Sequence, residues 1–166
     1  MENTSEEQKK RPVFLLVLAI LSFITIGFGL IGNFLGLLAG PMSPSEMENV
    51  MASGLKTVES MQNSGMDSFS ESFELIFRMQ KYINSNFYPH ILVTLLSLIV
   101  GFIGVLFMLK GNKKGFHLYI IYNLINVATI YVSVPANEVP NVIIISNVIF
   151  AGLFVFLYSR NLHWMK

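Results

Sequence analysis

Four long apolar segments without a charged residue dominate the pattern of this sequence. They cover residues 13–40, 91–109, 116–134 and 142–158. A helix needs roughly 17–25 apolar residues to cross a hydrocarbon core of about 30 Å. The pattern therefore predicts four transmembrane helices and an all-α integral membrane protein.

Residues 41–89, between the first two spans, combine polar and apolar positions at helical spacing. Ser43, followed by Pro44 and then by Glu46, is typical of a capping box at the start of a helix. A break at residues 63–65, which include a glycine, ends this first amphipathic helix.

A second amphipathic helix follows the break. Ser68 with Glu71 three residues later predicts its start, and Tyr88-Pro89 predicts its end before the second span. Two amphipathic helices joined by a short break are expected to pack as a helical hairpin outside the cytoplasm.

The other connections are short. Residues 111–115 begin and end with glycine, and residues 135–140 begin and end with proline, which predicts tight turns between antiparallel spans. The predicted fold is thus a four-helix bundle in the membrane, with the helical hairpin between its first and second spans.

The basic residues set the expected orientation, because cytoplasmic loops carry an excess of lysine and arginine. Residues 1–11 are then a disordered cytoplasmic N-terminus, residues 12–166 form one membrane domain, and residues 159–166 form a cytoplasmic tail. Both termini are expected in the cytoplasm and residues 41–89 outside it. The eight basic residues that fall on one side are Lys9, Lys10, Arg11, Lys110, Lys113, Lys114, Arg160 and Lys166.

Composition narrows the classes of function. The chain is 53% hydrophobic, its mean hydropathy is +0.59, and it has no cysteine. Since no acidic or basic residue lies within a span, proton relays, ion-coupled pumps and membrane enzymes are disfavoured. The three histidines fall at span ends on different sides, and no basic groove with aromatic residues is present. We expect no catalytic residue, no cofactor, no metal and no nucleic-acid partner.

Glycines in the first span form a candidate helix-packing interface. Gly29, Gly32, Gly36 and Gly40 lie within a narrow arc of the helix. Glycines at this spacing let two helix backbones approach closely. The contact is expected either inside the bundle or with another protein, including a second copy of the chain.

Polar residues also gather on one side of each span, such as Ser22 with Thr25 in the first and Asn147 with Tyr158 in the fourth. An amide in hydrocarbon needs a hydrogen-bond partner. These residues are therefore interpreted either as bonds between helices or as a site for a solute or lipid headgroup. The candidates for this polar bundle core or ligand site are Asn33, Tyr119, Tyr122, Asn123, Asn126 and Asn147.

Phe69, Phe73 and Phe77 lie on the apolar face of the second outer helix and are candidates for docking a partner. Together with the glycines and the uncharged spans, they favour a small accessory or scaffold subunit of a larger inner-membrane assembly. Its partners would be the lipid bilayer and other membrane proteins or further copies of the chain. The alternative is a facilitator or binder of a small solute or lipid through the mildly polar bundle core.

The order of one span, a long loop and three close spans resembles that of claudin-type tetraspan proteins. The tryptophan and cysteine hallmarks of their first loop are missing here, so the resemblance is limited to this layout. The asparagine-, isoleucine- and lysine-rich composition resembles that of small bacterial inner-membrane proteins, which predicts that location. Neither resemblance implies a functional residue.

Overall fold

The computed structural model describes residues 11–166, apart from the side chains of residues 67 and 68. These residues form six α-helices and two short 3₁₀ turns, and they contain no β-strand. The predicted disordered N-terminus lies outside the described residues except for Arg11, which is exposed and not helical. The helices are α1 (Val13–Ala39), α2 (Pro44–Asn63), α3 (Asp67–Ser85), α4 (Phe87–Leu109), α5 (Lys114–Ala128) and α6 (Asn141–Ser159).

Four helical segments are long and apolar enough to cross a membrane. They are α1, α4, α6, and α5 together with the 3₁₀ turn Thr129–Val132 that follows it. Their lengths are 27, 23, 19 and 19 residues in the order α1, α4, α5 with its turn, α6. This confirms the predicted number of candidate spans and the all-helical class.

The start of the second span differs from the prediction. α4 begins at Phe87, whereas the apolar pattern placed the start at residue 91. The prediction that Tyr88-Pro89 ends the preceding helix is wrong, because Pro89 is the third residue of α4. Amides in the first turn of a helix have no intrahelical partner, so the missing N–H of a proline there has no cost. Asn86 lies between the two helices, as the C-cap of α3 and the N-cap of α4.

The end of the third span is also irregular. α5 stops at Ala128 and tightens into a 3₁₀ turn, although the apolar run continues to residue 134. The Thr129 hydroxyl donates a hydrogen bond to the Ile125 carbonyl at 2.7 Å, within the last turn. Pro135 then disfavours a helical backbone at the residue before it. Because of these local constraints, the helix ends before the apolar run does.

The capping box predicted for the first outer helix is confirmed. The backbone N–H and the hydroxyl of Ser43 both donate to the Glu46 carboxylate at 2.7 Å, and the Glu46 N–H donates to Ser43 Oγ at 3.3 Å. The bond from the Ser43 side chain, followed by the one from its backbone, holds the pKa of Glu46 below its ordinary value.

The start of α3 is two residues earlier than a cap at Ser68 implies. Met66 precedes the first helical residue, and its carbonyl accepts the N–H groups of Phe69 and Ser70 at 3.0 Å. The prediction that Ser68 opens this helix is therefore wrong, since Ser68 is already its second residue.

α2 and α3 pack against each other. The Phe77 ring covers Gly54 so closely that a Cβ at that glycine would lie 2.6 Å from it. Asn84 in α3 accepts the Met42 N–H at 2.7 Å and donates to the Met42 carbonyl at 3.0 Å. The end of α3 is thereby joined to the segment that leads into α2.

α4 lies antiparallel to both α1 and α5. Gly29 of α1 faces Leu98 of α4, and Gly36 faces Ile91, so the chain numbers run in opposite directions. On the other side, a Cβ added to Gly115 of α5 would lie 2.5 Å from the carbonyl oxygen of Gly104. The backbones of α4 and α5 therefore meet directly, with no side chain between them.

The residues after α6 fold back onto the turn between α4 and α5. The Lys113 N–H donates to the Lys166 carbonyl at 3.0 Å, and the Lys166 N–H donates to the Gly111 carbonyl at 2.6 Å. The Trp164 ring lies over Gly111, and Met165 is buried. The predicted tail is thus packed against the protein.

Substituting Gly115→Ala is expected to lower the free energy of unfolding by about 1–3 kcal/mol, because the methyl group must displace a helix backbone. Thermal unfolding in detergent micelles, followed by circular dichroism, measures this loss. Gly27→Ala and Gly152→Ala are matched controls, since nothing lies within 4 Å of a Cβ at either position. Equal melting temperatures for all three variants would contradict the direct contact between α4 and α5.

Candidate functional site

Three buried hydroxyl groups join α1, α5 and α6. The Tyr158 hydroxyl donates to Ser22 Oγ at 2.9 Å, and Ser22 Oγ lies 3.4 Å from the Tyr119 hydroxyl. The Tyr119 and Tyr158 rings also touch, with their centroids 4.7 Å apart. Because serine is small, the tyrosine from α6 can reach the surface of α1. We call these three residues the hydroxyl cluster.

A cleft of about 330 Å³ begins at the hydroxyl cluster. It is lined by residues of α1, α5 and α6. Asn126, Asn147 and Phe150 are exposed, so the cleft is open to the surroundings on one side. Its lining residues are Ser22, Thr25, Ile26, Tyr119, Tyr122, Asn123, Asn126, Asn147, Phe150, Ala151 and Phe154.

The amides of the cleft do not bond to one another. Asn123 donates to the Tyr119 carbonyl of its own helix at 2.8 Å. Asn126 and Asn147 have no side-chain hydrogen bond to any residue between 11 and 166. Two amide groups are therefore free to bind an occupant of the cleft.

Five of the six candidate residues for the polar bundle core meet in the cleft: Tyr119, Tyr122, Asn123, Asn126 and Asn147. Asn33 does not line it. The Asn33 amide donates to the Gly29 carbonyl of its own helix at 2.8 Å, two turns beyond the part of α1 that lines the cleft.

The four glycines of the candidate packing interface have different neighbours within the protein. Gly29 and Gly36 face side chains of α4, whereas nothing lies within 4 Å of a Cβ placed at Gly32. Gly40 follows the last residue of α1, has a φ of 80°, and lies near the Tyr88 hydroxyl.

The three phenylalanines expected to dock a partner also have different surroundings. Phe77 packs on Gly54 within the contact between α2 and α3 and is partly buried. Phe73 is half-buried, and the Phe69 side chain is 65% exposed.

Sequence reasoning named neither Ser22 nor Tyr158 as a site residue, although both belong to the polar stripes of their spans. It also missed the apolar wall of the cleft at Phe150 and Phe154. The helical spacing of Asn147, Ala151 and Tyr158 was the available signal. A phenylalanine in a membrane helix gives no comparable signal, because lipid-facing positions also favour it.

α6 is held at its two ends and has little contact between them. Tyr158 is its only buried residue. In the most apolar 18-residue stretch of α6, 6% of the residues are buried, compared with 39% in that of α4. At the opposite end, Ile143 and Ile144 pack against a cluster formed by Met79 of α3 and the connection before α6. The middle of α6 is therefore the least supported part of the four spans.

The cleft offers neutral hydrogen-bonding groups and no ionisable acid or base suited to catalysis at neutral pH. None of its lining residues is aspartate, glutamate, histidine, lysine or arginine. Within residues 11–166, no group of three or more histidine, aspartate or glutamate side chains could hold a metal ion. The arrangement can bind a polar but uncharged molecule by hydrogen bonds.

Four helices of this length and hydropathy define an integral membrane protein, with a polar cleft between three of them. Comparison with models of protein families, with curated proteins and with solved structures gives no match to this chain.

Tyr158→Phe is expected to lower the free energy of unfolding by about 0.5–1.5 kcal/mol, because it removes the hydrogen bond that Tyr158 donates to Ser22. Thermal unfolding in a lipid-containing micelle measures the difference. Tyr131→Phe is the matched control, since Tyr131 is 45% exposed and its hydroxyl bonds to no residue between 11 and 166. The hydroxyl cluster would not anchor α6 if the two variants unfolded at the same temperature.

Proposed function

We propose that this protein binds a small, uncharged, lipid-soluble molecule in the cleft between α1, α5 and α6. The observation that carries the proposal is the pair of exposed amides, Asn126 and Asn147, which have no partner within residues 11–166. This is the binder or facilitator that the polar stripes suggested as an alternative.

The depth of the two amides supports the proposal. Asn147 lies six residues after the start of α6 and Asn126 twelve after the start of α5. At 1.5 Å per residue these distances are about 9 Å and 18 Å, which places both side chains in hydrocarbon if the helices span the bilayer. An unpaired amide in an apolar medium costs several kcal/mol, and a hydrogen-bonding ligand removes that cost.

The size and chemistry of the cleft limit the ligand. A volume of about 330 Å³ is at the lower end of the range for small-molecule pockets. Since the lining carries no charge, an ionised ligand would enter hydrocarbon without a counter-charge. The open side faces lipid, so the ligand would enter laterally from the bilayer.

The double variant Asn126→Leu with Asn147→Leu is expected to lose the bound molecule, since each lost hydrogen bond weakens binding by about fivefold. The protein is extracted from native membranes in polymer-bounded lipid discs, and its small molecules are identified by mass spectrometry. Wild type should carry one compound enriched over bulk lipid.

Asn33→Leu is the matched control, because it removes an amide from a span but not from the cleft. It should retain the compound at the wild-type level. The proposal is wrong if wild type enriches no compound, or if the double variant retains as much as the control.

A second candidate function is the accessory or scaffold role in a membrane assembly. Gly32 favours it, because this glycine lies next to open space on a helix whose neighbouring residues Phe28, Ile31 and Leu35 are strongly exposed. A glycine on an exposed membrane helix allows another helix to approach closely. In this role, the exposed Phe69 would provide a further contact outside the bilayer.

Gly32→Leu is expected to abolish co-purification of a partner, because its side chain holds the two helices apart. Gly27→Leu is the control, since Gly27 also has nothing within 4 Å of its Cβ position but lies on the opposite side of α1. Affinity purification from native membranes with quantitative mass spectrometry compares the two. Equal recovery of every membrane protein with both variants would count against this role.

The proposed orientation places the tight turn between α4 and α5, and both termini, in the cytoplasm of a bacterial cell. α2 and α3 would then form a helical hairpin outside the inner membrane, above a four-helix bundle. Charge supports this orientation, because every acidic residue after residue 11 belongs to residues 41–89 or 135–140.

A further inference from the structure

A second cavity lies on the other side of the contact between α5 and α6. Its volume is about 430 Å³, and we call it the apolar groove. It extends from Ile120 of α5 to Tyr131 of the 3₁₀ turn that follows, which is about 18 Å at the usual rise per residue of the two helix types. Its lining residues are Ile120, Asn123, Leu124, Val127, Ala128, Tyr131, Val148, Ala151, Gly152 and Val155.

The cleft and the apolar groove share two residues, Asn123 and Ala151. Alanine contributes a single methyl group at this level of α6, so little protein separates the two cavities. The rest of the groove is formed by aliphatic side chains and one tyrosine. The polar cleft and the apolar groove therefore meet at Asn123.

We propose that the cleft and the apolar groove form one site for a neutral, single-chain lipid. Its uncharged headgroup, carrying a hydroxyl, occupies the cleft beside Asn123, and its hydrocarbon chain lies in the groove between α5 and α6. This inference rests on the proposed function, because it names the class of ligand that the cleft takes.

The donors and acceptors that line the cleft determine which lipid headgroup can bind there. The Asn123 NH₂ group already donates to the Tyr119 carbonyl, so its side-chain oxygen remains as an acceptor. A headgroup hydroxyl can donate to that oxygen and accept from Asn126 or Asn147. A carboxylate or a phosphodiester group cannot donate, and no lysine, arginine or histidine lines either cavity to balance its charge.

The groove selects a single chain. It is one channel bordered by two helices, and Gly152 lies in it with nothing within 4 Å of its Cβ position. The middle of α6 is sparsely packed, so a chain can lie against it without displacing a buried side chain. A larger residue at position 152 would fill the channel without straining the fold.

The test uses the full chain in phosphatidylcholine nanodiscs and a long-chain primary alcohol with a photoreactive diazirine in its chain. After irradiation, mass spectrometry locates and quantifies the labelled peptides. We expect labelling within residues 120–131 and 148–155. A fatty acid of equal chain length with the same diazirine, ionised at the pH of the assay, should label these peptides at least about fivefold less.

Gly152→Leu should reduce labelling by the alcohol at least about tenfold, because its side chain occupies the groove. Gly27→Leu, which adds the same side chain to α1 at another open position, should label like wild type. Asn123→Leu should reduce labelling by about fivefold, the effect of one lost hydrogen bond. Unchanged melting temperatures verify that all three variants are folded.

Equal labelling of the Gly152→Leu and Gly27→Leu variants overturns the assignment of the chain to the groove. Equal labelling by the alcohol and the fatty acid overturns the neutral headgroup. Either result leaves the cleft as a binding site if the native extract still loses its compound in the Asn126 and Asn147 double variant. Absence of any enriched compound in wild type is instead the failure of the proposed function itself.

Discussion

The direct contact between the backbones of α4 and α5 at Gly104 and Gly115 is the constraint on which the rest of the structure depends. Apolar side chains gain little by leaving lipid for protein, so membrane helices associate through close packing and hydrogen bonds. The glycine contact fixes the position of α5 along the axis of α4. In that position the Tyr122 ring packs over Gly101 of α4, and the Tyr119 hydroxyl lies within hydrogen-bond distance of Ser22 in α1. The residues of α5 that line the cleft are therefore positioned by glycines that do not line it.

Much of the fold follows from the sequence, because hydrocarbon excludes charge and a helix must be long enough to cross it. The four spans and the start of α2 were predictable for this reason and from the capping chemistry of Ser43. The errors occur at helix ends, where single hydrogen bonds outweigh hydropathy. Pro89 was interpreted as a terminator but fits a first turn, and α5 ends at a threonine bond inside an uninterrupted apolar run.

The candidate site was predictable in part. Polar residues of a span share a face, and this brought five of the six candidates into one cleft. Asn33 is absent because the part of α1 that lines the cleft ends before it. The contact between Gly104 and Gly115 could not be predicted from the sequence of either helix alone, because it depends on the position of α5 along α4. The spacing of Gly29, Gly32 and Gly36 likewise does not say which neighbour each one faces.

The short backbone pairing between Lys166 and the turn at Gly111 and Lys113 has a mechanical consequence. It connects the C-terminal continuation of α6 to the loop that joins the two most tightly packed helices. A rigid-body tilt of α6 would pull on that loop, which carries Lys110 and Lys113 and is followed by Lys114 at the start of α5. A molecule that tilts α6 by binding beside its middle would thus also move these lysine side chains at one end of the protein.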